Sequence, residues 1–179
     1  MLHPVRRIVT TNDANGRSRV LIDGHAEKNI GVLTELWITE GAPASNDGTT
    51  DNAQMSDQLE PPRHGTLFRY FQIAPESQSA HLPLEERHRL AREWFTEMRG
   101  AHLQPDTSKH PAMHKSTTTD YIILLKGQIT LVLDDEEVDL KPLDVVVQRG
   151  TNHAWVNRGT EDAVLAISYS SADRQVVGE

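Results

Sequence analysis

The sequence predicts an all-β protein, an antiparallel sandwich or closed barrel with one helix at its periphery. Three observations carry this expectation. Short runs rich in β-branched and aromatic residues occur along most of the chain. Turn residues separate them. After Thr119, six such runs follow one another with no helical pattern between them.

The first two runs, "VRRIVT" (5–10) and "RSRVLID" (17–23), flank "TNDANG", whose Asn15-Gly16 pair suits a hairpin with a longer loop. "GVLTELWIT" (31–39) and "TLFRYFQI" (66–73) have strand composition. Between them, residues 41–65 are rich in Gly, Pro, Ser, Asn and Asp, and read as a long surface loop, either mobile or lying over a site. Residues 84–99 form the one amphipathic helix. Leu84, His88, Ala91, Trp94, Phe95 and Met98 share a face, Glu85 and Glu86 sit near its start, Arg99 at its end, and Gly100 is placed to stop it. Such a helix either packs on the outside of the barrel or serves as its lid. The closing runs are "DYIILL", "QITLVLD", "EVDL", "DVVVQ", "HAWVN" and "AVLAISYS", with turn residues at Lys126-Gly127, Asp134-Asp135, Lys141-Pro142, Gly150 and Arg158-Gly159. The expected organisation is a single domain over 1–179, with N-terminal strands in 1–40, the loop 41–65, the helix near 84–99 and a core barrel in 113–170.

A chain of 179 residues can bury a real core without covalent staples, because a domain of that size hides roughly 70% of its unfolded surface. It has no cysteine, so disulfides and Cys-based zinc or iron–sulfur sites are excluded. The net charge of −8 argues against phosphate-backbone binding. Apolar runs such as Ile122 to Leu125 are too short to span a bilayer, and the start lacks the apolar core of a secretory signal. A soluble, cytoplasmic protein is expected, with no nucleic-acid or membrane partner. Phosphate loops, Rossmann fingerprints and G-x-S-x-G elbows are absent.

Chemistry then falls to the histidines. His3, His25, His64, His81 and His102 lie in polar or terminal stretches, and His88 is a packing residue of the helix. His110 and His114 precede the first core strand, and His153 precedes the last ones. "MHKSTTTDYIILLKG" (113–127) and "LDVVVQRGTNHAWVN" (143–157) resemble the two signature motifs of the cupin superfamily. The first motif's H-x-H, acid and glycine correspond to His114, Ser116, Asp120 and Gly127. The latter half of the second corresponds to Gln148 through His153 and Asn157, with Leu143 where the opening glycine belongs and Gln148 where the proline belongs. The resemblance is closest to small single-domain cupins of bacteria and fungal metabolite clusters. It implies a cupin-type antiparallel jelly-roll barrel and a homodimer.

Cupins that bind a metal commonly use three His and one Glu. The resemblance implies His114 and His153 for the first and third His. Ser116 replaces the second, and Asp120 replaces the Glu. Two imidazoles and a carboxylate would suit a divalent ion (Fe, Zn, Mn or Ni) with open coordination positions. His110 is a possible further ligand. Side chains at 114, 116, 118 and 120 share a face in a straight strand. Six residues at about 3.3 Å each nevertheless span about 20 Å, so the chain must fold back for His114 and Asp120 to share an ion. The same trio also fits a metal-free pocket with an acid–base pair, or interior polar groups that only hydrogen-bond. Alternation places Ile122 and Leu124 with Asp120, and Trp155 and Asn157 with His153. Trp155, Arg69, Trp37, Gln148 and Asn157 are the candidate substrate contacts. Arg69 suits a carboxylate clamp, and it and Tyr70 point to opposite faces.

The leading expectation is a cupin enzyme using a divalent ion as Lewis acid on an organic-acid, polyketide-like or sugar-like substrate, by dehydration, decarboxylation or isomerisation. An Fe(II)-dependent oxygenase or oxidoreductase, and a non-catalytic metabolite-binding cupin, are the alternatives.

Overall fold

The computed structural model describes residues 2–55 and 57–173. Strand β1 (Arg6–Asn12) pairs with β2 (Ser18–His25) as a separate two-stranded ribbon. Its turn is held by Asp13, whose Oδ1 accepts the backbone N–H groups of Asn15 and Arg17 at 2.8 and 2.9 Å. After the short β3 (Asn29–Ile30) come β4 (Leu33–Thr39), β5 (Thr66–Ile73), the helix α1 (Leu84–Glu97) and then six strands. These are β6 (Thr118–Lys126), β7 (Ile129–Leu133), β8 (Glu137–Leu140), β9 (Val145–Arg149), β10 (His153–Val156) and β11 (Ala163–Ser171).

All pairings are antiparallel. One sheet has the order β3-β4-β5-β11-β6-β9, the other β10-β7-β8. The chain alternates between sheets in the core, and the inward faces meet in one cluster. Ile122 and Leu124 of β6 pack there with Leu131, Leu140, Trp155, Leu165 and Ile167. This is the expected jelly-roll barrel. Period-two patterning produces it: in β6, Thr118, Asp120, Ile122 and Leu124 are buried, while Tyr121, Ile123 and Leu125 face outward.

The glycine at the end of the first motif has a mechanical reason. Gly127 has φ +78, and a Cβ there would lie 2.8 Å from the Asp162 carbonyl oxygen. At the second motif's opening glycine position, Leu143 adopts the same left-handed backbone, φ +78, with its side chain 78% exposed. Its N–H donates to the Leu124 carbonyl at 2.7 Å, which holds the turn in place.

One expectation needs correction and a second is narrowed. The helix ends in a left-handed residue, but that residue is Arg99 (φ +53) rather than Gly100. Arg99 N–H donates to the Thr96 carbonyl and Gly100 N–H to that of Phe95, the paired bonds of a Schellman cap. Gly100 is small because Leu59 and Leu103 crowd it. The second point concerns residues 41–65, expected to be either mobile or lying over a site, whose second half is anchored. Asp51 binds Arg7 at 2.6 Å, a short 3-10 turn spans Asn52–Met55, and Leu59 is buried against Phe95 and Met98.

The deepest tie is Arg69 of β5, fully buried and directly opposite Glu35 of β4. Its Nη2 lies 2.7 Å from Glu35 Oε1 and its Nε donates to Oε2 at 3.2 Å. The remaining donors reach the carbonyls of Leu59 and Gln58, both at 3.1 Å. Replacing Arg69 with Met strands Glu35 and both carbonyls, so Arg69→Met should cost about 3–5 kcal/mol in urea denaturation. Leu143→Gly should act in the opposite sense, raising stability by about 1 kcal/mol in the same measurement, because relief of the left-handed strain exceeds the added chain entropy.

Candidate functional site

His114 lies just ahead of β6 and forms an isolated antiparallel bridge with His153 at the start of β10. Their backbones exchange hydrogen bonds at 2.8 and 2.9 Å, and their rings sit 4.2 Å apart. A carbonyl can only accept, so the ring nitrogen facing it carries the hydrogen. His114 Nδ1 donates to the Ala112 carbonyl at 3.0 Å and His153 Nδ1 to that of Thr151 at 2.9 Å. In the neutral rings Nε2 is therefore the lone-pair nitrogen on both. Burial pushes the pKa of His114 down. Burial and then the neighbouring His114 push that of His153 well below the usual range. Both rings are neutral at pH 7.

An aromatic chain runs through this pair. Phe71, Trp94, Phe95, His114, His153 and Trp155 are linked ring to ring, with centroids 4.2–6.4 Å apart. Trp94 and Phe95 come from α1, so the helix contributes to the interior instead of only covering the outside. Beside the rings is a cavity of about 270 Å3, lined by Leu33, Leu59, Phe71, Trp94, Phe95, His114, Trp155 and Tyr169, among others. His114 and Tyr169 are its titratable lining residues. Helix and loop thus both help to enclose it.

Asp120 does not join the histidines. His114 borders β10, whereas Asp120 is on β6 in the other sheet, where its strand partners are Gln148 and Tyr169. The chain crosses between sheets in the five residues from His114 to Thr118, and this crossing separates the two ends of the first motif. Among the described residues no group of three or more His, Cys, Asp and Glu is placed to hold a metal ion. The ligand set His114, Asp120 and His153 is therefore not assembled. Two imidazoles alone fall short of the three protein ligands of a typical catalytic site. His110 does not complete the set either, since its Nε2 faces Glu76 Oε1 at 3.3 Å.

Asp120 belongs to a second buried cluster with Arg69, Glu35 and Tyr169. Burial raises its pKa to about 7, against the lowering effects of Thr118 and Arg69, and its Oδ1 has no hydrogen-bond partner. Glu35 is also raised, by burial, with Arg69 opposing. The Arg69 guanidinium lies 5.2 Å from the centre of the Tyr169 ring, and the Tyr169 phenol is raised well above its ordinary range, chiefly by burial.

The other expected contacts divide similarly. Trp155 lines the cavity. Arg69 points inward and Tyr70 outward, but Arg69 is committed to Glu35 and the two carbonyls. Trp37 lines an outer cleft under the β1–β2 ribbon with Phe68 and Tyr70, because the strand shifts register between Glu35 and Trp37. Asn157 pins a turn through the Ile73 and Glu161 carbonyls and the Gly159 N–H. Gln148 is bonded to Thr151. Tyr169, Trp94, Phe95 and Glu35 are the residues that sequence reasoning missed. Only Glu35 left a signal: with Arg69, it puts opposite charges centrally in two neighbouring strand runs.

A two-sheet antiparallel barrel with histidines on its inner strands is the architecture of a cupin. Residues 101–169 match the cupin domain family model (Cupin_2). A biosynthesis cluster protein for phomopsin from Diaporthe leptostromiformis is 55% identical over 47 residues, which are 26% of this chain and 25% of that protein. The chain thus spans about a quarter of the length of these relatives. A cupin-domain-containing oxidoreductase of Neurospora crassa, srdD, is 25% identical over 166 residues, 87% of this chain and 68% of that one. The cupin domain of Schizosaccharomyces pombe Cnp3 aligns with a TM-score of 0.45 at 13% identity, over 93% of this chain and 87% of that one. No helix among the described residues is long and apolar enough to cross a membrane.

The two clusters drive stability in opposite directions with pH. Asp120 is protonated in the folded state up to about pH 7 but ionises near pH 4 when unfolded. Its contribution is complete below pH 4 and is lost as pH rises through 7. The histidines, with lowered values, contribute above about pH 6.5 and lose that contribution as pH falls below it. Asp120→Asn removes the first effect. The melting temperature of the variant relative to the native protein should rise by several degrees between pH 4 and pH 8.

Proposed function

We propose that this protein is a cupin enzyme that moves a proton on a small, largely apolar, ring-bearing carbonyl compound, by isomerisation or dehydration. The observation that carries the reading is a neutral imidazole lining a mostly apolar cavity that is also lined by a phenol. A base needs a lone pair and a pKa not far below the working pH. His114 has the lone pair fixed on Nε2 by its Nδ1–H bond to Ala112. Burial keeps it neutral into mildly acidic solution. Tyr169, held protonated, is a donor for the substrate oxygen on which charge develops.

The step balances without a further reagent. A proton α to the carbonyl passes to His114 Nε2 while the carbonyl oxygen becomes an enolate oxygen that accepts a hydrogen bond from Tyr169. Return of that proton at another carbon completes an isomerisation. Departure of a β-hydroxyl as water, protonated by the imidazolium, completes a dehydration. The His153 ring lies 4.2 Å from that of His114, tilted at 45°, and burial of both keeps the pair neutral before reaction.

Two relatives named as cupin-domain-containing oxidoreductases favour a second reading, oxidoreductase chemistry in the same cavity. Product mass separates the two, since proton transfer leaves the oxidation level of the substrate unchanged.

With 2-tetralone as probe, the protein should catalyse deuterium uptake from D2O at the α-carbon above the buffer rate, followed by NMR. His114→Gln should lower that rate by about 10²-fold or more, and Tyr169→Phe by a smaller factor. Activity should persist below pH 6.5 and fall only as His114 takes up its proton. Bound probe with no exchange above the buffer rate would leave a binding protein instead.

A further inference from the structure

The inner cavity does not end at Trp155. A second chamber of about 270 Å3 adjoins it, and Ile73, Ala74, Ala91, Ala112 and Trp155 line both. Three of these five shared residues are alanines, so the boundary between the chambers is built largely of small side chains. The outer chamber lies between the first half of α1 and residues 110–112, and it carries charge that the inner one lacks.

That charge is arranged unevenly. Arg87 of α1 places Nη1 2.9 Å from Glu76 Oε1, and His110 Nε2 approaches the same oxygen at 3.3 Å. Ala112 N–H donates to His110 Nδ1, so the proton on the neutral ring sits on Nε2 and is directed to Glu76. One carboxylate oxygen thus receives both donors. Arg87 Nε, however, is buried and has no partner. The Glu76 and Arg87 side chains are 32% and 27% exposed, a range in which an ion pair contributes little. Arg87, which lines the chamber, thus keeps a donor that no protein group uses, beside a carboxylate that can turn to solvent at small cost. Arg158 is occupied by Glu137 at 2.6 Å.

We propose that the two chambers form one binding site for a ring-bearing carboxylic acid, its ring beside Trp155 in the inner cavity and its carboxylate on Arg87 in the outer chamber. The inference rests on the proposed use of the inner cavity and adds the acidic group of the ligand. A carboxylate presents two oxygens in a plane and suits the Nε and Nη edge of the guanidinium, whereas Glu76 engages only Nη1. The division of labour is physical. Apolar burial supplies affinity in the inner chamber, and the guanidinium selects charge and fixes which end of the ligand enters first.

The test uses three probes of one shape, 4-phenylbutyrate, 4-phenylbutyramide and 4-phenylbutylamine, with binding measured by calorimetry on the whole chain. The acid should bind on the order of 10-fold tighter than the amide. Arg87→Gln should remove that preference while leaving amide binding within about twofold, a pattern that a merely structural arginine would not produce. Glu76→Gln, which frees Arg87 from its competitor, should tighten acid binding several-fold. Equal binding of acid and amide, or tighter binding of the amine, overturns the inference and leaves the inner-cavity reading standing. Failure of all three probes to bind the native protein overturns both.

Discussion

The buried guanidinium of Arg69 ties together pieces that the backbone ladder alone would not. Strand pairing joins β4 to β5 and β5 to β11, but nothing in those ladders holds residues 58 and 59 against the barrel. Arg69 does so by donating to their carbonyls while its charge is met by Glu35. A cation in the interior is tolerated because all of these acceptors are present at once, and removing one leaves a desolvated group behind. Leu59 is thereby fixed where it can meet Phe95 and Met98, and the helix gains its seat. The cavity wall follows from that seat.

The cavity departs from an open barrel mouth because α1 brings aromatic rings inward. Trp94 meets Phe95 edge-on at 5.0 Å, and Phe95 in turn contacts the His114 ring at 5.2 Å. Such contacts favour the uncharged imidazole by excluding water from it. Helix position and imidazole protonation are therefore one problem. A displacement of α1 that admitted water to the rings would also raise the proton affinity of His114.

The barrel was legible in the sequence because its signal is local. Alternation along β6 and β5, and turn residues between the closing runs, depend only on neighbours in the chain. Leu143 shows how far local reading reaches: it marks a departure from the motif, and the backbone there keeps the left-handed turn that the motif's glycine would occupy. The site was legible only in part. His114 and His153 meet as expected, since both lie beside the same sheet. Asp120 does not, because the crossing between sheets after His114 is a three-dimensional event that no residue in Ser116–Thr119 announces. Trp94 and Phe95 were read correctly as one face of a helix, but a helical face does not reveal what it will cover. Arg69 looked like a ligand clamp because burial of its charge by Glu35 and two carbonyls is settled only by the pairing of distant strands.

The anchoring of residues 51 to 60 also limits how the connection between β4 and β5 can vary. Its first part, from Gly41 to Thr50, contributes no group to the interior ties described above. Insertions and deletions there would alter reach at little cost. From Asp51 onward the connection is a structural strut, and shortening it by even one residue would shift two carbonyls out of register with the guanidinium beneath them. Length polymorphism among natural variants should accordingly crowd into the first half of the connection and stop abruptly at the second.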